Sequence, residues 1–157
     1  MVFEEIYKHY WKKVFRICMG YVNDRDWAQD IAQETFITVW QQLPNFRNES
    51  AIGTWLFRIA ANHCLRQLEK SKKHPKEEFP PQIAEQEEPS TDENVRLLYQ
   101  YISELEEVDR LIISMELEEI PQAEISKVLG MTESNIRVRI HRIKEKLSQK
   151  FNSNGHE

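Results

Sequence analysis

Prolines are concentrated in one short part of this chain. Four of the six prolines lie between residues 73 and 94, in the segment KHPKEEFPPQIAEQEEPSTDEN. Proline fixes φ and lacks a backbone N–H, so it interrupts helix interiors and central strands alike. The segment also has an excess of Glu and no helical period, which is typical of an extended, mobile linker. We therefore expect two small domains, residues 1–73 and 95–157, joined by an acidic linker over residues 74–94.

Both domains are predicted to be all-α. The chain has only four glycines, and its apolar residues recur with helical spacing rather than every second residue. At the start of the second helix, Asp26 is in a position to act as the N-cap. The predicted helices cover residues 2–21, 27–43, 50 or 54 to about 70, 92–104, 106–118, 121–129 and 132–150.

The formal net charge of -5 hides two basic regions. Residues 1–74 and 121–157 each carry a net +3, whereas residues 75–95 carry -6 and residues 96–120 carry -5. An acidic total of this kind argues against indiscriminate binding to nucleic acid, but it does not exclude specific binding by the basic ends.

Cysteine usage and hydropathy indicate a soluble protein of a reducing compartment. Cys18 and Cys64 match no paired spacing, and two thiols alone make no disulfide framework. No apolar run approaches the length of a membrane span. The first residues, MVFEEIYKHYW, lack the basic start and apolar core of a signal peptide. We therefore expect a cytoplasmic protein that does not insert into a membrane.

The C-terminal stretch EISKVLGMTESNIRVRIHRIKEKL has the pattern of a helix-turn-helix. Gly130 follows a short helix, at the place where a left-handed residue ends helices, and Thr132 can cap the next one. On a wheel of about 100° per residue, Ile136, Ile140, Ile143 and Leu147 form one apolar stripe. The opposite face carries Ser134, Arg137, Val138, His141 and Arg142, with Arg139, Lys144 and Lys146 at the flanks. Donors in the middle and cations at the sides suit a helix that reads duplex DNA, although an ordinary amphipathic surface helix has a similar wheel.

A second candidate surface combines aromatic and basic residues between positions 46 and 73. Asn62, His63, Arg66 and Lys70 share one face of the third helix, Lys72 and Lys73 follow, and Phe46, Arg47 and Trp55 are close in sequence. Rings that stack on bases, together with cations that follow phosphates, suit single-stranded nucleic acid. The alternative is that the two aromatic residues belong to the core and the lysines favour the helix dipole.

A third candidate surface lies on the second helix. Asp30, Gln33 and Glu34 project together, and Ile37 and Gln41 continue the same face. A solvated acidic face would explain the charges, but an exposed Ile beside carboxylates also suits a protein partner with basic residues.

Together these segments resemble a bacterial sigma factor of the extracytoplasmic-function (ECF) group in the sigma-70 family. DIAQETFITVW is similar to the helix that binds core RNA polymerase, and FRNESAIGTWLFRIAANHCLRQLEK is similar to the promoter-melting segment. LEEVDRLIISMELEEIPQAEISKVLGMTESNIRVRIHRIKEKL resembles the domain that reads the promoter. The three segments occur in the family's order and are separated by an acidic linker.

The resemblance implies that residues 1–73 form a region 2-like domain. Its acidic face would bind the coiled coil of the polymerase's largest subunit through Asp30, Gln33, Glu34 and Ile37. Asn62 occupies the place of the residue that captures a base flipped from the −10 element, and base extrusion costs a few kcal/mol. The other residues expected at the −10 element are Phe46, Arg47, Asn48, Ser50, Trp55, Arg66, Lys70 and Lys73.

The resemblance also implies that residues 95–157 form a region 4-like domain that binds the polymerase flap and the −35 element. Ser134, Arg137, Val138, His141 and Arg142 would face the major groove, and Thr132, Arg139 and Lys144 would contact the DNA backbone. Val138 stands where the family usually has a small polar residue, so a thymine methyl group is a plausible partner there.

The expected partners are core RNA polymerase, promoter DNA and an anti-sigma factor, with no cofactor, metal or enzymatic activity. The main alternative is a stand-alone helix-turn-helix regulator that works as a dimer, and a helical adaptor that binds only proteins is a further one. The polarity of the linker indicates that the two domains move relative to each other.

Overall fold

The computed structural model describes residues 2–73 and 92–154, with side chains described for residues 2–67 and 92–154. Most of the predicted linker, and the side chains of Lys70 and Lys73, therefore lie outside the described residues. The described part of the chain contains no strand, and the predicted all-α class is confirmed. Its helices are α1 (Phe3–Val22), α2 (Arg25–Gln42), a 3-10 turn (Leu43–Asn45), α3 (Ile52–Lys73), α4 (Glu93–Ser103), α5 (Glu107–Leu117), α6 (Gln122–Leu129) and α7 (Glu133–Asn154).

The junction between α1 and α2 is tighter than the sequence predicts. Asn23 ends α1 in the left-handed conformation with φ 49°, and its N–H donates to Met19 O at 2.9 Å. The N-cap of α2 is Asp24, whose carboxylate accepts from the Trp27 N–H at 3.0 Å. The prediction of Asp26 as the cap is therefore wrong by two residues, because Asn23 turns the chain early enough for Asp24 to reach the first free N–H group.

The N-terminal bundle is formed by α1, α2 and α3 around an apolar core. Its centre includes Cys18 of α1 and Cys64 of α3, which are fully buried with their Sγ atoms 3.8 Å apart. The hydrogen bond between the thiols, together with burial, raises the pKa of Cys18 well above its usual value. The two cysteines are thus buried packing residues of this bundle.

The C-terminal bundle packs α4, α5 and α6 against α7. The predicted apolar stripe of α7 is buried: Ile136 is 0% exposed, Ile140 3%, Ile143 2% and Leu147 7%. At roughly 25 cal/mol per Å² of apolar surface, each such side chain contributes about 1.5–3 kcal/mol relative to the exposed state. This burial orients α7, so its opposite face points to solvent.

The two bundles are in contact, and their buried residues form one continuous apolar core. We call this contact the domain interface; it joins α1 to α4 and α5, and α3 to α6. At its centre Gly20 of α1 meets Ser114 of α5, where a Cβ on the glycine would lie 1.9 Å from Ser114 Oγ. Polar linker composition indicated domains that move independently, whereas the structure holds them together through contacts remote in sequence.

The domain interface leaves one polar group unsatisfied. Ser114 is 3% exposed, and its hydroxyl has no hydrogen-bond partner within the described residues. A buried hydroxyl without a partner costs about 1–3 kcal/mol relative to the hydrated group. This cost offsets part of the stabilisation that the close packing at Ser114 provides.

Candidate nucleic-acid and protein interfaces

The turn between α6 and α7 has the geometry of a helix-turn-helix. Gly130 adopts φ 67° and ψ 33° after the last residue of α6, a left-handed conformation that favours glycine. Thr132 Oγ1 accepts from the Asn135 N–H at 3.1 Å, so this residue caps α7 as predicted. The turn comprises residues 130–132, and it sets α7 across α6 with the basic face outward.

The outward face of α7 contains two arginines that have no ion-pair partner among the described side chains. Ser134, Arg137, Val138, His141 and Arg142 are all exposed. Neither Arg137 nor Arg142 forms an ion pair with any side chain that the structure describes, and Val138 is 45% exposed between them. Free guanidinium groups can bind the O6 and N7 atoms of guanine, and a small apolar side chain can contact a thymine methyl.

The two predicted backbone contacts on α7 are instead tied to α5. Arg139 Nη1 lies 3.0 Å from Asp109 Oδ1, and Lys144 Nζ lies 3.1 Å from Glu116 Oε2. His141, on the outward face, pairs with Glu145 one turn on, at 3.3 Å between Nε2 and Oε1. To bind a DNA phosphate, Arg139 would have to break its ion pair with Asp109, and Lys144 would have to break its ion pair with Glu116.

The loop before α3 lines a cavity with the aromatic and basic character expected of a single-strand site. The Phe46 and Trp55 rings lie 4.8 Å apart between centroids, and the cavity beside them has a volume of about 500 Å³. Its lining residues are Asn45, Phe46, Arg47, Glu49, Ser50, Ala51, Thr54, Trp55, Arg58 and Lys127. Asn48 does not line it and adopts φ 57°, a left-handed conformation that asparagine tolerates.

Asn62 and Arg66 lie farther along α3 than this cavity. Both are exposed, and Asn62 is two turns, roughly 10 Å, beyond Trp55 on the same side of the helix. The structure therefore spreads the described −10 candidates from the loop before α3 along one side of that helix to Arg66, and it does not bring them into a single pocket.

Beside Asn62, a polar network joins α3 to α2. His63 Nε2 lies 2.8 Å from Thr38 Oγ1, and its Nδ1 lies 3.9 Å from Glu34 Oε2. Gln67 donates to the same carboxylate at 3.2 Å. Glu34 is thereby held in place by α3 while about half of its side chain remains exposed.

The outer face of α2 is exposed and combines carboxylates with apolar side chains. Asp30, Gln33 and Glu34 all face solvent, and burial together with the neighbouring carboxylates, Glu34 first, raises the pKa of Asp30. Ile37 is 55% exposed and Trp40, one turn on, is 63% exposed. Exposed apolar groups of this size beside charges are typical of protein-binding surfaces.

Three candidate residues were missed by the sequence analysis. Trp40 could have been identified, because it follows Ile37 at i+3 on the same helix face. Arg58 and Lys127 could not, because they meet only through folding: the Arg58 guanidinium donates to the Lys127 carbonyl at 3.0 and 3.1 Å. Both line the loop cavity although they belong to different domains.

The described part of the chain contains neither a candidate metal site nor a candidate membrane helix. No group of three or more His, Cys, Asp or Glu side chains there is arranged to hold a metal ion. Within the same ranges, no helix combines the length and the apolar character needed to cross a bilayer.

Comparison with known proteins identifies a sigma-70 region in each of the two bundles. Residues 6–74 match the family model Sigma-70 region 2, and residues 96–147 match Sigma-70, region 4. The ECF RNA polymerase sigma-E factor of Salmonella typhimurium is 30% identical, with 90% of this chain and 82% of the relative covered. The RNA polymerase sigma-H factor of Pseudomonas aeruginosa is 29% identical, with 94% and 84% covered.

Two solved structures have a similar fold. The sigma factor RpoE of Bartonella quintana, in complex with the anti-sigma factor NepR, gives a TM-score of 0.73 at 16% identity, with 94% of each chain covered. CnrH in complex with the cytosolic domain of CnrY gives 0.70 at 20% identity, with 96% of this chain and 88% of that chain covered. With both sigma-70 regions matched in order and a 30% identical relative over most of its length, this chain belongs to the ECF group of the sigma-70 family, whose members act in transcription initiation.

Proposed function

We propose that this sigma factor uses three separate surfaces to start transcription from promoters with −10 and −35 elements. The outward face of α7 reads the −35 duplex, the loop cavity and outer edge of α3 bind the −10 single strand, and the outer face of α2 binds core polymerase. The observation that carries the proposal is that Arg137 and Arg142 lie on the exposed side of the second helix of a helix-turn-helix and form no ion pair within the described residues.

The single-strand site has support from its aromatic pair. The Phe46 and Trp55 rings are both partly exposed, so a base could stack on them, and Arg47 supplies a cation at the cavity. Asn62 and Arg66 continue the site along α3 with hydrogen-bonding and charged groups. Asn62 takes the flipped base in this proposal, and the rings hold a neighbouring base.

The polymerase surface is centred on apolar rather than charged groups. Ile37 and Trp40 form its exposed apolar centre, and Asp30, Gln33 and Glu34 form a polar border that complements a basic partner. Trp40 extends the predicted surface by one turn. Tryptophan is among the residues whose truncation most often costs a large part of a binding energy.

The remaining parts of the proposal concern regulation and location. Of two proteins with a similar fold, the sigma factor RpoE was solved with the anti-sigma factor NepR, and CnrH was solved with the cytosolic domain of CnrY. We expect an anti-sigma factor to restrain this protein as well, in the cytoplasm where it meets polymerase. The chain itself has a binding role and no enzymatic one.

The decisive experiment is transcription in vitro with purified core polymerase on a library of promoter fragments, with and without this protein. The proposal predicts protein-dependent initiation at fragments that share a two-part sequence. Arg142→Ala should lose initiation, and Asn62→Ala should retain duplex binding but lose promoter opening. Tight duplex binding by a dimer, with no initiation, would instead indicate a stand-alone regulator.

A further inference from the structure

The carboxylate of Glu34 on α2 is held in place by the neighbouring helix. Gln67 of α3 donates a hydrogen bond to Glu34 Oε2 at 3.2 Å, and His63 Nδ1 lies 3.9 Å from the same oxygen. The side chain of Glu34 is nevertheless 51% exposed, whereas that of His63 is only 15% exposed. Glu34 therefore presents a carboxylate to solvent at a position that α3 determines.

The orientation of the Gln67 amide is fixed by its two partners. Its Oε1 accepts from the indole N–H of Trp27 at 3.4 Å, and its Nε2 donates to the Glu34 carboxylate. An indole N–H can only donate and an ionised carboxylate can only accept, so the reverse orientation of the amide would lose both hydrogen bonds. Gln67 thus connects the first turn of α2 to Glu34 in a single amide orientation.

His63 connects α3 to the next turn of α2. Its Nε2 lies 2.8 Å from the hydroxyl of Thr38, which follows Glu34 by one helical turn. The same hydroxyl lies 3.1 Å from the Glu34 carbonyl oxygen. These contacts keep the imidazole ring beside the carboxylate, so His63 and Gln67, one turn apart on α3, both face the same oxygen of Glu34.

The other two polar residues predicted on this face of α2 lack such support. The side chains of Asp30 and Gln33 are exposed and form no hydrogen bond or ion pair with any residue that the structure describes. A mobile side chain loses rotamer freedom when a partner binds it, whereas a side chain that is already fixed loses less. Glu34 is therefore the polar residue of this face that is best prepared to bind a basic side chain.

We propose, on the basis of the proposed function, that Gln67 and His63 are positioning residues for the binding of core polymerase. They act through Glu34, whose carboxylate they hold in the conformation that accepts a basic side chain of the polymerase. Asn62 and Arg66, each one residue earlier on α3, belong to the proposed −10 site. One stretch of α3 therefore carries two residues for the single strand and, directly after each, a residue that supports the polymerase surface.

A double-mutant cycle separates positioning from packing. Gln67→Met keeps the length of the side chain but removes both hydrogen bonds, and Glu34→Ala removes the group that is positioned. Gln67→Met should weaken the binding of core polymerase by about 2- to 10-fold in the wild-type background and have no further effect in the Glu34→Ala background. Gln100→Met, the same exchange at an exposed site of α4, is the matched control and should bind as the wild type does.

The affinities are measured by fluorescence anisotropy of the full chain, labelled at its C terminus and titrated with purified core polymerase. Circular dichroism shows whether each variant is folded. His63→Phe, which retains a ring but neither nitrogen, should also weaken binding, and this loss should likewise disappear when residue 34 is Ala. An equal loss for Gln67→Met in both backgrounds, or no loss in either, would overturn the proposal, because a residue that only packs α3 affects binding whether or not Glu34 is present.

The single variants distinguish a failure of this proposal from a failure of the proposed function. If Glu34→Ala binds core polymerase as tightly as the wild type, the polymerase surface of the proposed function is wrong at Glu34. If Glu34→Ala loses affinity and Gln67→Met does not, that surface stands and the positioning role fails. Gln67→Met should leave the binding of a −10 single strand unchanged, and a loss there would make Gln67 a strand contact instead.

Discussion

The surfaces proposed for the −35 and −10 elements differ in their relation to the rest of the chain. The face of α7 is formed within one bundle: its buried stripe orients it, Thr132 caps it, and its central arginines form no ion pair with the side chains that the structure describes. The −10 site is built from a loop, the edge of α3 and Lys127 of the other bundle. The first surface is thus formed by one bundle alone, whereas the second also includes a residue of the other bundle.

The largest loss of binding is expected for substitutions on the outward face of α7, the surface that one bundle forms alone. Replacing Arg137 and Arg142 together by Ala should weaken binding to a duplex selected by the protein by at least about 30-fold, because each Arg–guanine pair contributes roughly 1–3 kcal/mol. Fluorescence anisotropy with the labelled duplex measures the loss. Lys146→Ala, which removes a charge from the flank of α7, should cost much less, and equal losses for both would show that α7 binds by charge alone.

A smaller loss of binding is expected for substitutions at the −10 site, which includes residues of both bundles. Trp55→Ala should weaken binding of a −10 single strand by about 1–3 kcal/mol, the contribution of one stacked base, and leave duplex binding by α7 unchanged. Trp55→Phe retains a ring next to Phe46 and should recover most of the affinity. If the Phe variant is as weak as the Ala variant while both remain folded by circular dichroism, Trp55 is only a packing residue.

The ion pair of Arg139 with Asp109 allows a test of whether Arg139 contacts a DNA phosphate. Asp109→Asn removes the carboxylate 3.0 Å from the guanidinium and leaves Arg139 free to bind phosphate. Duplex affinity should rise about threefold, and the slope of log K against log salt should steepen by about 0.9. An unchanged slope would mean that Arg139 stays bound to α5 and contributes no phosphate contact.

The smallest effect is expected on the acidic face of α2. The pKa of Asp30 is raised in the folded protein, so its ionised form is destabilising there, and folding stability should increase slightly as pH falls through that pKa. Asp30→Asn should therefore raise the free energy of unfolding at neutral pH by well under 1 kcal/mol, since the site is exposed. The same change should weaken binding to core polymerase, and a gain in both would remove Asp30 from the proposed interface.

The helices and the orientation of α7 could be predicted from the sequence because they depend on local patterns. The apolar spacing of Ile136, Ile140 and Ile143 already specifies which side is buried, and Gly130 marks the end of the preceding helix. The N-cap of α2 was misplaced because both Asp24 and Asp26 suit a cap, and the choice depends on where Asn23 turns the chain.

The domain interface could not be predicted from local patterns. Arg58 and Lys127 are separated by 69 residues, and neither has a position on its own helix that indicates the other. For the same reason the ion pair of Arg139 with Asp109 could not be predicted. A helix wheel places Arg139 at the flank of α7, but it carries no information about a carboxylate on α5. The Gly20–Ser114 contact likewise requires knowledge of how α1 crosses α5.

The buried thiols of Cys18 and Cys64 allow the unfolding rate of the N-terminal bundle to be measured by chemical modification. Both thiols are fully buried, and the pKa of Cys18 is raised by its hydrogen bond to Cys64 and by burial, so in the native state a reagent in solution has almost no access to the pair. Modification by an aromatic disulfide reagent should therefore proceed at the rate at which α1 and α3 separate. The absorbance of the released thiol would therefore measure the unfolding rate of the bundle that contains the pair.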